Sequence, residues 1–171
     1  MSEPSAATDD LVTERLVLRR LREPDLDALT AIYADPLTMR FLGGPRTRAD
    51  TSARLESMIA AHREQGFGLM ATTLRDDGRL IGRCGLLVQD VEGTTEHEIA
   101  YLLGREWWGK GYATEAAAAI RDHARGRLGL DRLISLIAPE NTASQAVARR
   151  IGMEHERDLV FEGHPTMVFS T

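Results

Sequence analysis

The stretch that most constrains this chain is Trp107-Trp108-Gly109-Lys110-Gly111-Tyr112-Ala113-Thr114-Glu115-Ala116. A glycine-rich turn runs directly into an alanine-rich helical pattern, and the apolar run Glu98-Ile99-Ala100-Tyr101-Leu102-Leu103 precedes it. A chain that passes from strand through a glycine turn into a helix presents free backbone N–H groups at the positive end of the helix dipole, which favours phosphate. The preceding strand opens on a carboxylate. The sequence thus sets acid–base chemistry beside a cradle for a phosphate-bearing ligand. Gly109 and Gly111 permit backbone conformations and close approach that other residues resist. Alone, a Gly-x-Gly pair also fits a turn that merely caps a packed helix. A Rossmann reading fails for want of the third glycine at its spacing and of a repeated βαβ order.

Around this stretch the periodicities read as strand, two helices, three strands, helix, strand, helix and two strands. Leu16 and Leu18 alternate with Val17 and Arg19 over Arg15–Leu21, a strand. Pro24 suits the first turn of a helix bearing Leu26, Leu29, Ile32 and Tyr33, and Asp35-Pro36 interrupts it. Thr47 and Asp50 form a capping box for a second helix, with Leu55, Met58, Ile59 and His62 on its apolar face and Gly66 at its end. Phe67–Leu74 and Leu80–Val88 read as strands joined through Asp76-Asp77-Gly78, and Gly93-Thr94 turns into a third near Glu96–Leu103. The Tyr112–Leu128 helix carries Ala113, Ala116, Ala117, Ile120 and Ala124 at helical spacing, small enough to pack closely on a sheet. Leu133–Ile137 is a buried strand, Asn141 caps a helix ending at Gly152, and a hairpin through Gly163-His164-Pro165 closes the chain. Residues 11–171 therefore form one α+β or α/β domain behind a flexible tail of residues 1–10.

With 171 residues, 43% hydrophobic and 27% charged, the composition is that of a soluble globular domain. A net charge of −5 argues against nucleic acid as a partner and favours a cationic small molecule or an amine. The single cysteine, Cys84, excludes an internal disulfide. No apolar run reaches a membrane span, and the polar, acidic start is not a secretion signal, so a cytoplasmic location is expected.

Three motifs together resemble the GNAT superfamily of acyl-CoA-dependent N-acetyltransferases, and within it the RimJ/RimL-like branch of ribosomal-protein N-terminal acetyltransferases. They are Thr13-Glu14-Arg15-Leu16-Val17-Leu18-Arg19, Trp107–Ala116, and Asn141-Thr142-Ala143-Ser144-Gln145-Ala146-Val147 running to Ile151-Gly152-Met153. The resemblance spans about Thr13–Phe169. It implies a mixed, mostly antiparallel central sheet of about seven strands flanked by about four helices. It also implies acetyl-CoA as acyl donor, with its pyrophosphate at the N–H groups of Gly109, Lys110, Gly111, Tyr112 and Ala113. Trp108 stands where the superfamily has Arg or Gln, so it lines the site instead of binding phosphate. The backbones of Leu102 and Leu103, and Asn141 and Ser144, would lie along the cofactor arm, with one strand N–H in an oxyanion role.

By the same resemblance Glu98 is the general base, acting through water, and the acceptor amine attacks the thioester directly. The need for a base depends on the amine. An α-amino group of pKa about 8 is roughly one-tenth neutral at pH 7, a lysine-like amine near 10.4 only about one part in 2,500. Glu96 shares the strand face of Glu98, and either carboxylate can equally be a solvated strand charge. His97 faces the other way. The tyrosine acid common in the superfamily is absent, because Ala148 occupies its place; the branch implies Ser144 instead, which as a residue also reads as part of the helix cap. No metal is implied. The acceptor, a protein N-terminus or a small-molecule amine, would enter opposite the cofactor, between the early helices (roughly Ala34–Gly66) and the last hairpin. A homodimer is a family-level implication. The competing reading is a noncatalytic acyl-CoA-binding module that senses acetyl-CoA or docks a partner.

Overall fold

The computed structural model describes residues 9–171. The expected tail lies, for residues 1–8, outside the described residues; Asp9 is described and pairs with Arg20 at 2.8 Å. The strands are β1 (Leu11–Val12), β2 (Leu16–Arg20), β3 (Leu69–Leu74), β4 (Leu80–Val91), β5 (Thr94–Leu103), β6 (Ile134–Ile137), β7 (Glu154–Phe161) and β8 (His164–Ser170). The helices are α1 (Leu26–Ala34), α2 (Pro36–Met39), α3 (Arg48–Gln65), α4 (Tyr112–Leu128) and α5 (Thr142–Arg150). One sheet runs in the order β1-β2-β3-β4-β5-β6-β8-β7, antiparallel at every pair except β5 with β6.

The mixed, mostly antiparallel sheet matches the expectation, with one strand and one helix more. Both additions are too short for periodicity to register. β1 has two residues, and α2 is a four-residue turn capped by Asp35, whose carboxylate accepts the Thr38 N–H at 3.0 Å. Elsewhere local chemistry sets the boundaries. Thr47 and Asp50 close the capping box of α3, and Gly66 ends that helix at φ 78°. Pro24 sits in a 3-10 turn just ahead of α1.

Two hairpin turns differ from the sequence reading. Glu92 and Gly93 both take positive φ (53° and 81°), as do Glu162 and Gly163 (48° and 81°). Two-residue turns of this mirror-image kind match the twist of paired strands. The first turn is therefore Glu92-Gly93, not Gly93-Thr94. The second is Glu162-Gly163, and His164 and Pro165 belong to β8 opposite Phe161 and Val160. The first turn fixes register: Leu87 opposes Glu98 and Gln89 opposes Glu96.

Side chains alternate across the sheet and build two cores. On one face α4 and α5 pack Ala116, Ala117, Ile120, Ala124, Val147 and Ile151 against Leu16, Leu18, Ile99 and Leu103. On the other, α1 and α3 pack Leu29, Tyr33 and Leu55 against Leu69 and Ala71, with Ala100 and Leu102 at the margin. Gly82 lets β4 and β5 meet closely, since a Cβ there would stand 2.1 Å from the Leu102 carbonyl oxygen. Gly82→Ala is expected to force those strands apart and lower stability by at least about 2 kcal/mol, read as a fall in the urea midpoint.

Candidate active site

The central feature is where β5 leaves β6. The two strands share one parallel bridge, Glu98 with Ile134. The Ser135 hydroxyl then donates to the Ile99 carbonyl at 2.8 Å, and beyond that point the strands part. Gly104 N–H donates to the Ile81 carbonyl, so by alternation Leu102 directs its backbone groups to β4, while Tyr101 and Leu103 direct theirs to the gap. Of the two leucines read as flanking a cofactor arm, Leu103 has its N–H on the open side. Leu102 has its backbone taken up by β4.

Glu98 stands at the fork on the α1 and α3 side. It is 8% exposed. Its carboxylate accepts from Gln89 Nε2 at 2.7 Å and more weakly from the Leu136 N–H at 3.4 Å. Burial pushes its pKa up, against the pull of Gln89, Leu136 and Arg83. Glu96 has a different fate. Arg132 grips it with bonds of 2.8–3.0 Å and reaches Glu156 with its other nitrogen at 2.8 Å. Hydrogen bonds from Arg132 hold the Glu156 carboxyl down at about 2. Glu96 is thus a tie between β5 and β7, and the two carboxylates do not share a cleft role. His97 packs on Phe67 across the sheet, with ring centroids 5.9 Å apart.

The glycine turn follows. Gly109 and Gly111 hold φ of 70° and 83°, and Gly111 is the N-cap of α4, where among the described residues no side chain caps the first-turn N–H groups. A Cβ on Gly109 would meet nothing within 4 Å. The first turn of α4, from Tyr112 and Ala113 onward, therefore offers its N–H groups outward beside Lys110. Trp108 is 42% exposed and anchored by its indole N–H to the Leu103 carbonyl at 2.9 Å. Trp107 packs edge-on to Tyr112, with Lys110 over its ring.

A clasp that the glycine motif does not reveal fixes this turn. Glu115 accepts from the Thr13 hydroxyl (2.6 Å), the Arg15 N–H (2.8 Å) and the Arg15 guanidinium (2.7 Å). Burial opposes its charge, but these bonds outweigh it and hold its carboxyl below the usual range. Arg15 also donates to the Lys110 carbonyl at 2.9 Å and lies over the Tyr112 ring. Thr13 and Arg15 belong to the first of the three motifs, so the opening strand is coupled to the turn.

On α5, Asn141 accepts the Ser144 N–H at 3.2 Å, the cap that the sequence implied. The Ser144 carbonyl accepts from the Tyr101 hydroxyl at 2.7 Å, which ties α5 to the open edge of β5. Ser144 is therefore held at both backbone groups and is partly exposed, while Ala148 is fully buried. Gln89 and Tyr101 were not singled out as side chains from sequence, although the hairpin register alone places Gln89 beside Glu98. On the opposite side of β5, a groove of about 500 Å³ opens between α1 and the turn after β5, lined by Ile32, Asp35, Gly104, Arg105 and Trp107. Among the described residues no helix is long and apolar enough to cross a membrane, and no group of three or more His, Cys, Asp or Glu side chains could hold a metal ion.

An open-edged strand that carries a buried carboxylate and leads into a glycine turn at a helix start is the arrangement that an acyltransferase fold presents. The acetyltransferase (GNAT) domain model matches residues 15–154, and the chain belongs to that family. It is 31% identical over 166 residues to YkkB, an uncharacterised protein of Bacillus subtilis, covering 95% of each chain. An acetyltransferase crystal structure from Agrobacterium tumefaciens superposes with a TM-score of 0.84 and 31% identity, over 100% of this chain and 98% of that one. RimL, a ribosomal L7/L12 α-N-protein acetyltransferase crystallised with coenzyme A, shares the fold at a TM-score of 0.77 and 18% identity, over 95% and 97%.

Glu98 makes the stability of the fold depend on pH. Its folded pKa lies above its ordinary 4.5, so the folded state holds the proton more tightly than the unfolded one. Stability from this group is present below the ordinary value and is lost as pH rises through the raised one. Glu98→Gln, which keeps shape and removes the charge, is expected to gain stability over wild type as pH rises through that window and then hold the gain, measured by urea unfolding at a series of pH values.

Proposed function

We propose that this protein is an N-acetyltransferase that uses acetyl-CoA and a primary amine, a protein N-terminus or a small molecule. The observation that carries this reading is the buried Glu98 at the fork of β5 and β6, on the strand whose open edge leads to the glycine turn before α4. A module that only bound acyl-CoA would gain nothing from a carboxylate whose burial costs free energy. The residues present fit the cofactor: unsatisfied N–H groups, positive-φ glycines and the open space at Gly109 suit a pyrophosphate. The RimL complex with coenzyme A on this fold adds support, and the three sequence motifs favour the RimJ/RimL-like branch. Consumption of acetyl-CoA supports the cytoplasmic location.

When bound, acetyl-CoA supplies an activated acetyl group. The backbone of Gly109, Lys110, Gly111, Tyr112 and Ala113 receives its phosphates, with Trp108 as the adjoining wall. The Leu103 N–H, on the open side of β5, serves as hydrogen-bond donor to developing negative charge. Glu98 accepts the proton of the attacking amine through water. A carboxyl whose pKa burial has raised is a stronger base than an ordinary one once ionised, which suits an amine that is mostly protonated at pH 7. Ser144, positioned by Asn141 and Tyr101, is the donor for the departing thiolate. A thiol of pKa about 8.5 needs little help, so the absence of a tyrosine at Ala148 is tolerated.

Two outcomes follow. Calorimetric titration should show micromolar acetyl-CoA binding to the wild type and its loss in Gly111→Glu, which sets a carboxylate in the cradle; no binding to the wild type would sink the cofactor assignment. In a thiol-release assay on the best amine, Glu98→Gln should lower kcat by about 100-fold and remove the rise of rate with pH that ionisation of Glu98 gives. Unchanged turnover would withdraw Glu98 as the base, and tight cofactor binding with no amine ever acetylated would favour the sensor reading.

A further inference from the structure

The α1-side face of the sheet holds a second charged group. Arg83 lies on β4 directly opposite Leu102, and so projects to the same face as Leu102, Ala100 and Glu98. Four residues of strand separate the Leu102 level from Glu98, roughly 13 Å. Arg83 Nε donates to the Tyr33 hydroxyl at 2.6 Å, and its guanidinium stands over the Tyr33 ring. Tyr33 is 2% exposed, so this bond fixes the plane of the guanidinium.

The rest of the group is unmatched. Among the described residues neither terminal nitrogen of Arg83 has a hydrogen-bond partner, and no carboxylate stands within salt-bridge distance of it. Two other arginines on the sheet are matched by carboxylates. The partly buried Arg19 forms two bonds to Asp25, at 2.9 and 2.7 Å, and the more exposed Arg132 is shared between Glu96 and Glu156. Arg83 is partly buried, and the partly exposed apolar side chains of Leu80, Leu87, Ala100 and Leu102 share its side of the sheet. A guanidinium with one nitrogen engaged and its other edge open, in such surroundings, matches a planar oxyanion with two parallel bonds.

We infer that Arg83 anchors an anion in the acceptor site: the acceptor is a primary amine that also carries a carboxylate or phosphate, held at the open edge of Arg83 with its amine toward Glu98. The inference rests on the acetyl-transfer reading. The spacing along β5 calls for amine and anion separated by several bonds, not attached to one carbon. The net negative charge of the chain favours a cationic acceptor, and Arg83 adds a local demand for an anionic group on the same molecule.

The test is thiol release from acetyl-CoA by the full chain with matched acceptors: aminohexanoate and aminohexyl phosphate, each against aminohexanol, and amidated alanyl-glutamate against amidated alanyl-glutamine. The anionic member of at least one pair should be preferred roughly 10- to 100-fold in kcat/KM, and the pair that shows it distinguishes carboxylate from phosphate. Arg83→Gln should bring that ratio toward one, chiefly through KM, and Arg83→Lys should retain part of it. Equal use of the paired acceptors, or a preference that survives in Arg83→Gln, overturns the inference. Should Arg83→Gln fail to fold, Arg83→Lys and Tyr33→Phe carry the same comparison. If acetyl-CoA binds and no acceptor is acetylated, the transfer reading fails instead. Calorimetry of the coenzyme A-loaded protein with the same anionic probes then decides Arg83: binding weakened at least about tenfold in Arg83→Gln upholds the anchor, and absence of binding to the wild type overturns it.

Discussion

The parting of β5 from β6 after a single parallel bridge is the constraint on which the rest of this site depends. A strand inside a sheet normally exhausts its backbone donors and acceptors on its two neighbours. Here the Ile99 carbonyl is met by Ser135 and the Leu103 carbonyl by the Trp108 indole, while the N–H and carbonyl of Tyr101 and the N–H of Leu103 between them face the gap. The gap is braced beside its open edge, because the Tyr101 side chain reaches from β5 toward α5 and its hydroxyl donates to the Ser144 carbonyl. Strand edge and helix cap are therefore mechanically one unit.

Strand alternation then divides the labour. Ile99, Tyr101 and Leu103 look toward α4 and α5, and Glu98, Ala100 and Leu102 look toward α1, α3 and the last hairpin. One strand thus turns open backbone groups to its edge and side chains of different character to its two faces. Desolvation raises the affinity of Glu98 for a proton just where the strands separate. The neighbouring Glu96, of the same residue type and on the same face, is committed to Arg132. What distinguishes the two is the partner each meets.

Charge is used locally in this acidic chain. Glu115 sits in the first turn of α4, where its charge suits the helix dipole. Alone it would repel a phosphate at the same helix end. Arg15 engages that carboxylate and the Lys110 carbonyl at once, and so couples β2 to the turn across 100 residues of sequence. Arg132 ties β5 to β7 in the same manner.

Much of this was legible in the chain itself. The helical spacing of Ala113 to Ala124, the box at Thr47 and Asp50, the Asn141 cap and the glycine turn all act within a few residues, and periodicity or turn chemistry reads them directly. The two hairpin turns were displaced by a residue or more, because Glu92 and Glu162 adopt positive φ that their residue type does not announce. The pairings that give the site its chemistry were not legible. Whether Glu98 or Glu96 remains unpaired by an arginine, whether Leu102 or Leu103 opens to the gap, what clasps Glu115, and what leaves Arg83 without a carboxylate all depend on groups tens of residues apart. The sequence by itself determined most of the elements and the glycine turn ahead of α4, since those follow from short-range backbone chemistry. Only the tertiary structure decided which of the two buried carboxylates is left without an arginine and that Arg83 is left without a carboxylate, since partnership is set by the register and crossing of distant strands.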